Sequence, residues 1–562
     1  FGIEDYAHKL EMRNGSEYVQ KYKDYMYQKT GKEVTGDPVP NTGEQANYEA
    51  GKETDWLDEI SQTGITMDHN LSISGGTDDV SYFVSGEYMN QKGILKGYQY
   101  KRFSFRANLD IKVTKYLTIG TNAYVASHNK DGGRVNFLMG LAMSPYGQEY
   151  NDDGSYNTLP MSPEEMYVSP FCNYNKTAER RSVNVNGNGY AELNFGNLIA
   201  PLKGLKYRLN IGYNYLPART STYAGLSSYD KNGTAQTINY ETNAYTIENI
   251  LSYAKDFGKH HIDLTGLFSA QSKNYLQTSA KSVGFVNDIL GFNYLEGGTT
   301  QTTSSYSSRY AASSWMGRVN YSYDSRYLFT FTVRRDGSSV FGANTSKWGT
   351  FPSVAVGWNI AKENFMKQAD WLNNLKLRLS YGKSGNEAIS VYETISKYNA
   401  SSIAMNGTTL TGIYPGTMLG NSNLTWETTK SFNVGLDWGI FNNRVMGNFD
   451  FYKSRTSGLL LKRNLPCITG YQSVYENIGI TENTGFEATI TSRNIVTKNF
   501  TWETNLVFST NHNEIVDLYG DKKDDIGNGW FIGKSISSIY DYKMLGIWQQ
   551  SEIDAGLNKG WD

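Results

Sequence analysis

A hydrophobic period of two runs through most of the chain. From Phe103 to Val113 the odd positions (Phe103, Phe105, Ala107, Leu109, Ile111, Val113) are apolar and the even ones polar. Successive side chains on a strand point to opposite faces, so this segment has one greasy face and one wet face. Its length suits the roughly 9–11 residues with which a tilted strand crosses a bilayer. The same alternation recurs in Tyr207–Tyr215, Tyr327–Val333, Leu375–Tyr381 and Phe432–Trp438. Weaker copies lie in Val183–Phe195, Tyr245–Tyr253, Ile262–Ala270, Trp315–Tyr323, Val445–Phe451 and Phe500–Phe508. Counted from His69, about 17 strands are predicted, the last near Tyr540–Gln549.

A soluble sandwich also alternates, so the connections decide between the two. Short ones (Gly75–Val80, Val113–Tyr116, Gly196–Lys206, Ala254–His260, Asp324–Arg326, Gly439–Arg444, Ile495–Asn499) take turns with long ones. The long ones are Ser127–Ser182, Leu216–Asn243, Gln271–Ser313, Lys383–Thr429 and Ser454–Gly485. Outer-membrane barrels show that asymmetry, with tight periplasmic turns and large extracellular loops. Aromatic residues bracket the short turns (Tyr116, Phe195, Tyr207, Tyr253, Tyr323, Tyr327, Trp438, Phe500, Trp502), as an interfacial girdle requires. Lys362–Asn374, with Ala369, Trp371 and Leu372, is expected to hold a short helical turn. The fold class predicted is all-β: a large transmembrane antiparallel β-barrel with long extracellular loops. A barrel this size has a wide or plugged lumen, which implies transport.

Composition agrees. Tyr numbers 43 and Gly 56 against 11 Pro, at a mean hydropathy of −0.53. No apolar run is long enough for a transmembrane helix. Lys plus Arg (53) nearly cancel Asp plus Glu (55), which argues against a nucleic-acid partner. Cys172 and Cys467 are too few for a disulfide framework; they are unpaired thiols or one loop staple. Phe1 begins the chain without a leader sequence, so a trimmed piece of a longer protein is expected.

Particular strings carry more than the pattern. They are Asp55–Ile60, Asn70–Gly76, Lys101–Asp110, Tyr327–Phe341 with Arg334-Arg335-Asp336-Gly337, Trp348–Ser353, Leu375–Asn386, Asn423–Thr429, Asn477–Glu487, and Ile532–Ile536 into Gly546-Ile547-Trp548. In this order they resemble SusC-like (RagA-like) TonB-dependent transporters over nearly the whole chain. The resemblance implies an outer-membrane barrel of about 22 strands in the full protein, plugged from its N-terminal side. It further implies a SusD-like surface lipoprotein as lid and a TonB complex as energy source. On that reading residues 1–68 are an extracellular loop region after the first barrel strand, and residues 69–562 are transmembrane barrel, incomplete here. The plug domain is absent from this chain. The expected function is active import of oligosaccharides; the alternatives are an oligopeptide importer of the same family or a passive porin. A pore-less surface glycan-binding protein or an outer-membrane hydrolase would need other signals.

Enzyme motifs are missing or misplaced, so no catalytic residues, cofactor or metal are expected. Gly527–Ser535 approaches a phosphate loop but puts Asn528 where the first glycine belongs. Gly382–Asn386 is no nucleophile elbow. His260 and His261 are adjacent and would face opposite sides of a strand. The acidic stretches Asn151–Ser155 and Asp517–Asp525 lack the spacing of a calcium loop. Sugars present apolar ring faces and hydroxyls, which aromatic rings with Asn, Asp and Arg suit. Candidate ligand contacts in the long loops are Tyr146, Tyr174, Tyr223, Tyr306, Tyr310, Trp348, Tyr392 and Tyr414, with Arg334 and Asp336 at a strand's outer end.

Overall fold

Alternating sequence becomes paired strand wherever a neighbouring strand completes its hydrogen bonds. A computed structural model describes residues 1–36, 38–174, 176–226 and 232–554. Residues 227–231 of the long Leu216–Asn243 connection, and 555–562 at the end of the predicted barrel, lie outside the described residues. The strands are β1 (Gly2–Glu4), β2 (Gly64–Gly76), β3 (Val80–Lys92), β4 (Gln99–Lys112), β5 (Leu117–Asn129), β6 (Thr177–Asn194), β7 (Leu205–Ala224) and β8 (Thr234–Phe257). Then come β9 (His260–Phe285), β10 (Gly298–Tyr323), β11 (Tyr327–Ser338), β12 (Trp348–Asn359), β13 (Leu372–Asn386), β14 (Tyr398–Met405), β15 (Thr408–Pro415) and β16 (Met418–Leu419). The last are β17 (Glu427–Ile440), β18 (Val445–Ser457), β19 (Leu460–Asn464), β20 (Ser473–Asn477), β21 (Ile480–Val496) and β22 (Thr501–Asp517).

Among the described residues seventeen of these form one sheet. The chain divides into two compact units, residues Phe1–Tyr253 with Gly266–Ser314, and Ala254–Thr265 with Trp315–Asp562. In the first, β2 to β8 pair antiparallel in chain order, and β1 pairs with the start of β2. In the second, β11, β12, β13, β17, β18, β21 and β22 do the same. Outside the main sheet, β14 and β15 form a hairpin, and β20 lies between β16 and β19.

The predicted faces are real. Phe103, Phe105, Ile211, Tyr213, Ile247, Phe329, Phe331, Val356, Phe432 and Phe451 all stand exposed on one side of their strands. In a sandwich that side would be a covered core; exposed apolar faces on strand after strand call for a hydrocarbon surrounding. The opposite face is wet and internally bonded. The Arg102 guanidinium donates to Glu87, which also accepts from Ser104 Oγ at 2.9 Å. Tyr190 Oη donates to Asp110 at 2.5 Å, Arg208 Nη1 lies 3.6 Å from Glu192, and Asn210 donates to Glu248 at 3.0 Å. In the second unit Arg378 Nη2 bridges Asp437 at 2.8 Å and Asp450 at 2.9 Å.

The short connections fall where the alternation placed them. At 324–325 both Asp324 (φ 51°) and Ser325 (φ 52°) are left-handed, and Arg326 N closes the turn on Tyr323 O at 2.9 Å, the geometry that suits a twisted hairpin.

Two expectations are corrected. Leu216–Asn243 and Gln271–Ser313 are not chiefly loops, because β7 to β10 run far beyond the bilayer and leave shorter connections near 225–233 and 286–297. Bilayer thickness sets the apolar stretch, not the length of a strand whose neighbours continue beside it. Tyr540–Gln549 forms no strand, having no ladder partner among the described residues; the seventeenth sheet member is instead the short β1. The short helical turn expected in Lys362–Asn374 is present at Asn364–Met366, preceded by another at Ile360–Lys362, and Leu372 already begins β13. Glu363 fixes that connection by accepting from Tyr327 Oη (2.7 Å), Trp358 Nε1 (3.1 Å) and Arg326 Nη1 (3.2 Å).

Candidate ligand-binding site

The first unit carries a module with a core of its own, built by residues 5–63 and the 130–176 connection. Its helices are α1 (Gly15–Thr30), α2 (Thr42–Glu49), α3 (Trp56–Ile60) and α4 (Phe137–Ala142). Asn14 caps α1 through a reciprocal box with Glu17, and Gly31 ends it in the left-handed region (φ 68°). Asp55 caps α3 by accepting from Leu57 N at 3.0 Å and Asp58 N at 3.1 Å. These caps aim Trp56, Leu57 and Ile60 into a core shared with Val135, Met143, Met161 and Phe171. Phe171 stacks on Tyr156 at 4.2 Å, and Trp56 Nε1 donates to Ser144 O at 2.8 Å.

Two carboxylate oxygens of the module, Glu44 Oε1 and Glu149 Oε1, are buried without a hydrogen-bond partner among the described residues. Burial pushes the Glu149 carboxyl up from the ordinary range against a Tyr150 contact that pulls it down. A raised folded pKa means the stabilising contribution is whole below the ordinary carboxylate range and is lost as pH rises through the raised value. The module is therefore expected to melt higher at pH 4.5 than at pH 7.5, and Glu149→Gln to flatten that difference; tryptophan-fluorescence melts across the pH series check it. Equal slopes for wild type and variant would remove Glu149 as the cause.

The ten predicted contacts are split between the two units, five in each. Tyr146 is only 6 % exposed, its ring edge-on to Tyr48 at 5.3 Å; Tyr223, 5 % exposed, donates to Asp288 Oδ1 at 2.6 Å and packs edge-on to Phe285. Both rings are covered by packing, because the module and the β7–β10 extension each need a core of their own. Tyr174 is half-buried against Phe171 at 5.9 Å. Tyr306 and Tyr310 lie on β10 rather than in a loop, and Tyr306 is exposed beside Tyr275 at 6.0 Å. Tyr392, in the connection after β13, and Tyr414, on the β14–β15 hairpin, are exposed.

Arg334 and Asp336 share the polar face of β11, paired Nε to Oδ1 at 2.7 Å. Trp348 does not join them. It lies opposite Gly337, on the face that carries Phe329 and Phe331, with the Arg335 guanidinium 5.5 Å from its ring. What sequence reasoning missed is the bonded array of Tyr190, Arg208, Asn210 and Glu248 on the polar face of β6 to β8, which together with Asn122 and Asn188 lines a cleft of about 400 Å³. Strand parity was the available signal: Asn122, Asn188, Tyr190, Arg208, Asn210 and Glu248 all fall on positions opposite the apolar ones. Among the described residues no group of three or more His, Cys, Asp or Glu converges as a metal site, and neither cysteine is paired.

Similarities to known proteins follow the same outline. A family model described as TonB dependent receptor-like, beta-barrel, matches residues 143–544. TonB-dependent receptor P3 of Formosa agariphila is 34% identical over 545 residues, which is 91% of this chain and 53% of that protein. TonB-dependent receptor SusC of Bacteroides thetaiotaomicron is 30% identical over 544 residues, 89% of this chain and 51% of that protein. Among solved structures the RagAB peptide transporter superposes with a TM-score of 0.77 at 26% identity, covering 92% of this chain and 57% of that one. The chain spans about half the length of the curated relatives it matches.

Proposed function

Because this chain belongs to the TonB-dependent receptor β-barrel family of the outer membrane, we propose that the complete protein actively imports an oligosaccharide, with a SusD-like lipoprotein as lid and TonB as the energy source. The observation that carries the reading is the polar face itself. Asn122, Asn188, Tyr190, Arg208, Asn210 and Glu248 offer amide, phenol and charged groups side by side around one cleft, a chemistry that matches a polyhydroxylated solute. Exposed members of the predicted contact set away from the apolar strand faces, Tyr306, Tyr392, Tyr414 and Arg334, would supply ring faces and charge.

An oligopeptide importer is the second reading, favoured by the likeness to the RagAB peptide transporter; the same donors and acceptors would serve a peptide backbone. The test is uptake by whole cells carrying the complete protein, supplied with labelled oligosaccharide or peptide mixtures, with and without TonB. Accumulation of saccharide that stops without TonB or the proton gradient is the expected result. Selective accumulation of peptides would replace saccharide with peptide. Uptake indifferent to both TonB and the gradient would indicate a passive porin.

A further inference from the structure

A cavity of about 590 Å³ opens in the first unit, on the side of the long connections, lined by Tyr98, Arg134, Asn136, Asn173, Lys176 and Arg180 with some apolar surface, and with no carboxylate among the described residues of its wall. We propose that this cavity binds an oxyanion, a carboxylate or sulfate ester, carried by the imported solute. The proposal rests on the import reading and adds to it the charge class of the cargo.

Strand parity places the pocket on the solute side. Arg180 and Ala178 lie on β6 at even positions, the parity of Tyr190 and Asn188 on the polar face, and Ala178 pairs with Thr222 of β7 in the same register as Asn188 with Gly212, on the far side of a gap at Val183 and Asn184. The neighbouring Arg181 points the other way, where Asp131 neutralises it at 2.7 Å. Asp131 Oδ1 is itself taken by the Arg180 backbone N–H at 2.7 Å, so the nearest carboxylate is already bonded outside the cavity wall.

The cations are held without an ion pair of their own. Burial and the nearby Arg134 both work against the charge on Arg180, and Asp131 offsets them in part. Arg180 Nη1 donates to Gly132 O at 3.0 Å, and the Arg134 guanidinium lies 4.9 Å from the Tyr98 ring centre. Arg134 Nε is buried with no hydrogen-bond partner among the described residues. Neither arginine nor Lys176 makes an ion pair among them. Gathering three like charges costs energy that an anion would recover, most of all through paired guanidinium donors.

The backbone is built to keep the arrangement closed. A Cβ on Gly97 (φ 81°) would strike Gly133 O, and one on Gly133 would strike Tyr174 O. Lys130 N donates to Arg180 O at 2.9 Å and Gly132 N to Ala178 O at 2.8 Å, so the loop bearing Arg134 is laced directly to β6. The volume exceeds what a lone ion fills and falls in the range of small-ligand sites, which suits a charged sugar or residue within a longer solute.

The test is calorimetric titration of the complete receptor in detergent with four probes: hexagalacturonate, a sulfated galactan hexasaccharide, hexaglutamate and uncharged galactohexaose. Charged probes are expected to bind at least about tenfold more tightly than galactohexaose and to weaken as salt rises. Arg180→Gln, and Arg134→Gln with Arg180→Gln, are expected to erase that preference; heat-modifiable gel mobility confirms that each variant is folded. Carboxylated and sulfated probes tell the two oxyanions apart.

Equal binding of charged and neutral probes by wild type would overturn the proposal whatever the variants do. So would failure of every charged probe to bind, or loss in the variants of a co-purifying lipoprotein rather than of probe. Oxyanion binding in detergent without TonB-dependent uptake in cells would leave the pocket standing and remove the import reading instead.

Discussion

Trp56→Ala is expected to unfold the helical module while leaving the transmembrane strands in place. The indole is 1 % exposed, among the most deeply buried large side chains of the module, and contributes to the core around Phe171, Met161 and Val135. Truncating a buried aromatic typically costs about 3–5 kcal/mol, from lost transfer energy and the cavity left behind. The Ser144 carbonyl, which accepts from Trp56 Nε1, would also lose its partner. A single small core rarely has more than that to spare. The sheet is insulated, since its hydrogen bonds run between strands. Limited proteolysis of the receptor in detergent should show cleavage within 130–176 and intact β4 to β8. Trp56→Phe, which keeps a ring, should behave far more mildly. The variant should also weaken binding at the basic pocket, because Val135 and Arg134 are adjacent and the first belongs to the Trp56 core. Protease patterns identical to wild type would show the module to be held chiefly by its strand anchors.

The fold was legible in the sequence where physics forces a two-sided pattern, and illegible where that force stops. Within the bilayer each strand must be apolar on one face, so Phe103–Val113 and Tyr207–Tyr215 declare themselves. Beyond it both faces meet water, and the outer parts of β9 and β10, rich in Ser, Thr, Gln and Tyr, lose the alternation while remaining paired strand. That is why they read as loops. The brief pairing of β1 carries no period at all in three residues.

The candidate site was less legible for a different reason. Whether a loop tyrosine faces ligand or core depends on distant partners: Tyr146 on Tyr48 and Glu53, Tyr223 on Phe285 and Asp288. Nothing near either residue announces those partners. Parity was informative where strands continue. Arg180 and Arg181 had to face opposite sides, and the odd one meets Asp131 while the even one meets Arg134. Separating Trp348 from Arg334 needed the β11–β12 register as well, which pairs it with Gly337.

Ile211→Arg tests the lipid-facing wall directly and should nearly abolish assembled receptor. Ile211 is half exposed on the apolar face of β7, between Leu209 and Tyr213 and directly opposite Ile247 of β8. Its place within the Leu205–Tyr215 run puts it close to the middle of the apolar band. An arginine near the bilayer midplane of a barrel costs about 2–4 kcal/mol, falling toward zero at the interfaces. The cross-strand partners are Gly189 and Ile247, so neither supplies a carboxylate to offset the charge. Asn210→Arg, one residue away, supplies the control: its side chain faces the other way, between Glu248, to which it donates at 3.0 Å, and Arg208, from whose Nε it accepts at 2.8 Å, so the ion pair a cation gains there offsets the like charge beside it. Heat-modifiable receptor recovered from outer membranes, with urea unfolding in detergent, reads both variants. Strong loss for Ile211→Arg beside near-normal yield for Asn210→Arg follows if the exposed apolar face contacts hydrocarbon. Equal tolerance of the two would mean that this face meets water or another protein surface, and the bilayer would no longer explain why period two persists along the chain.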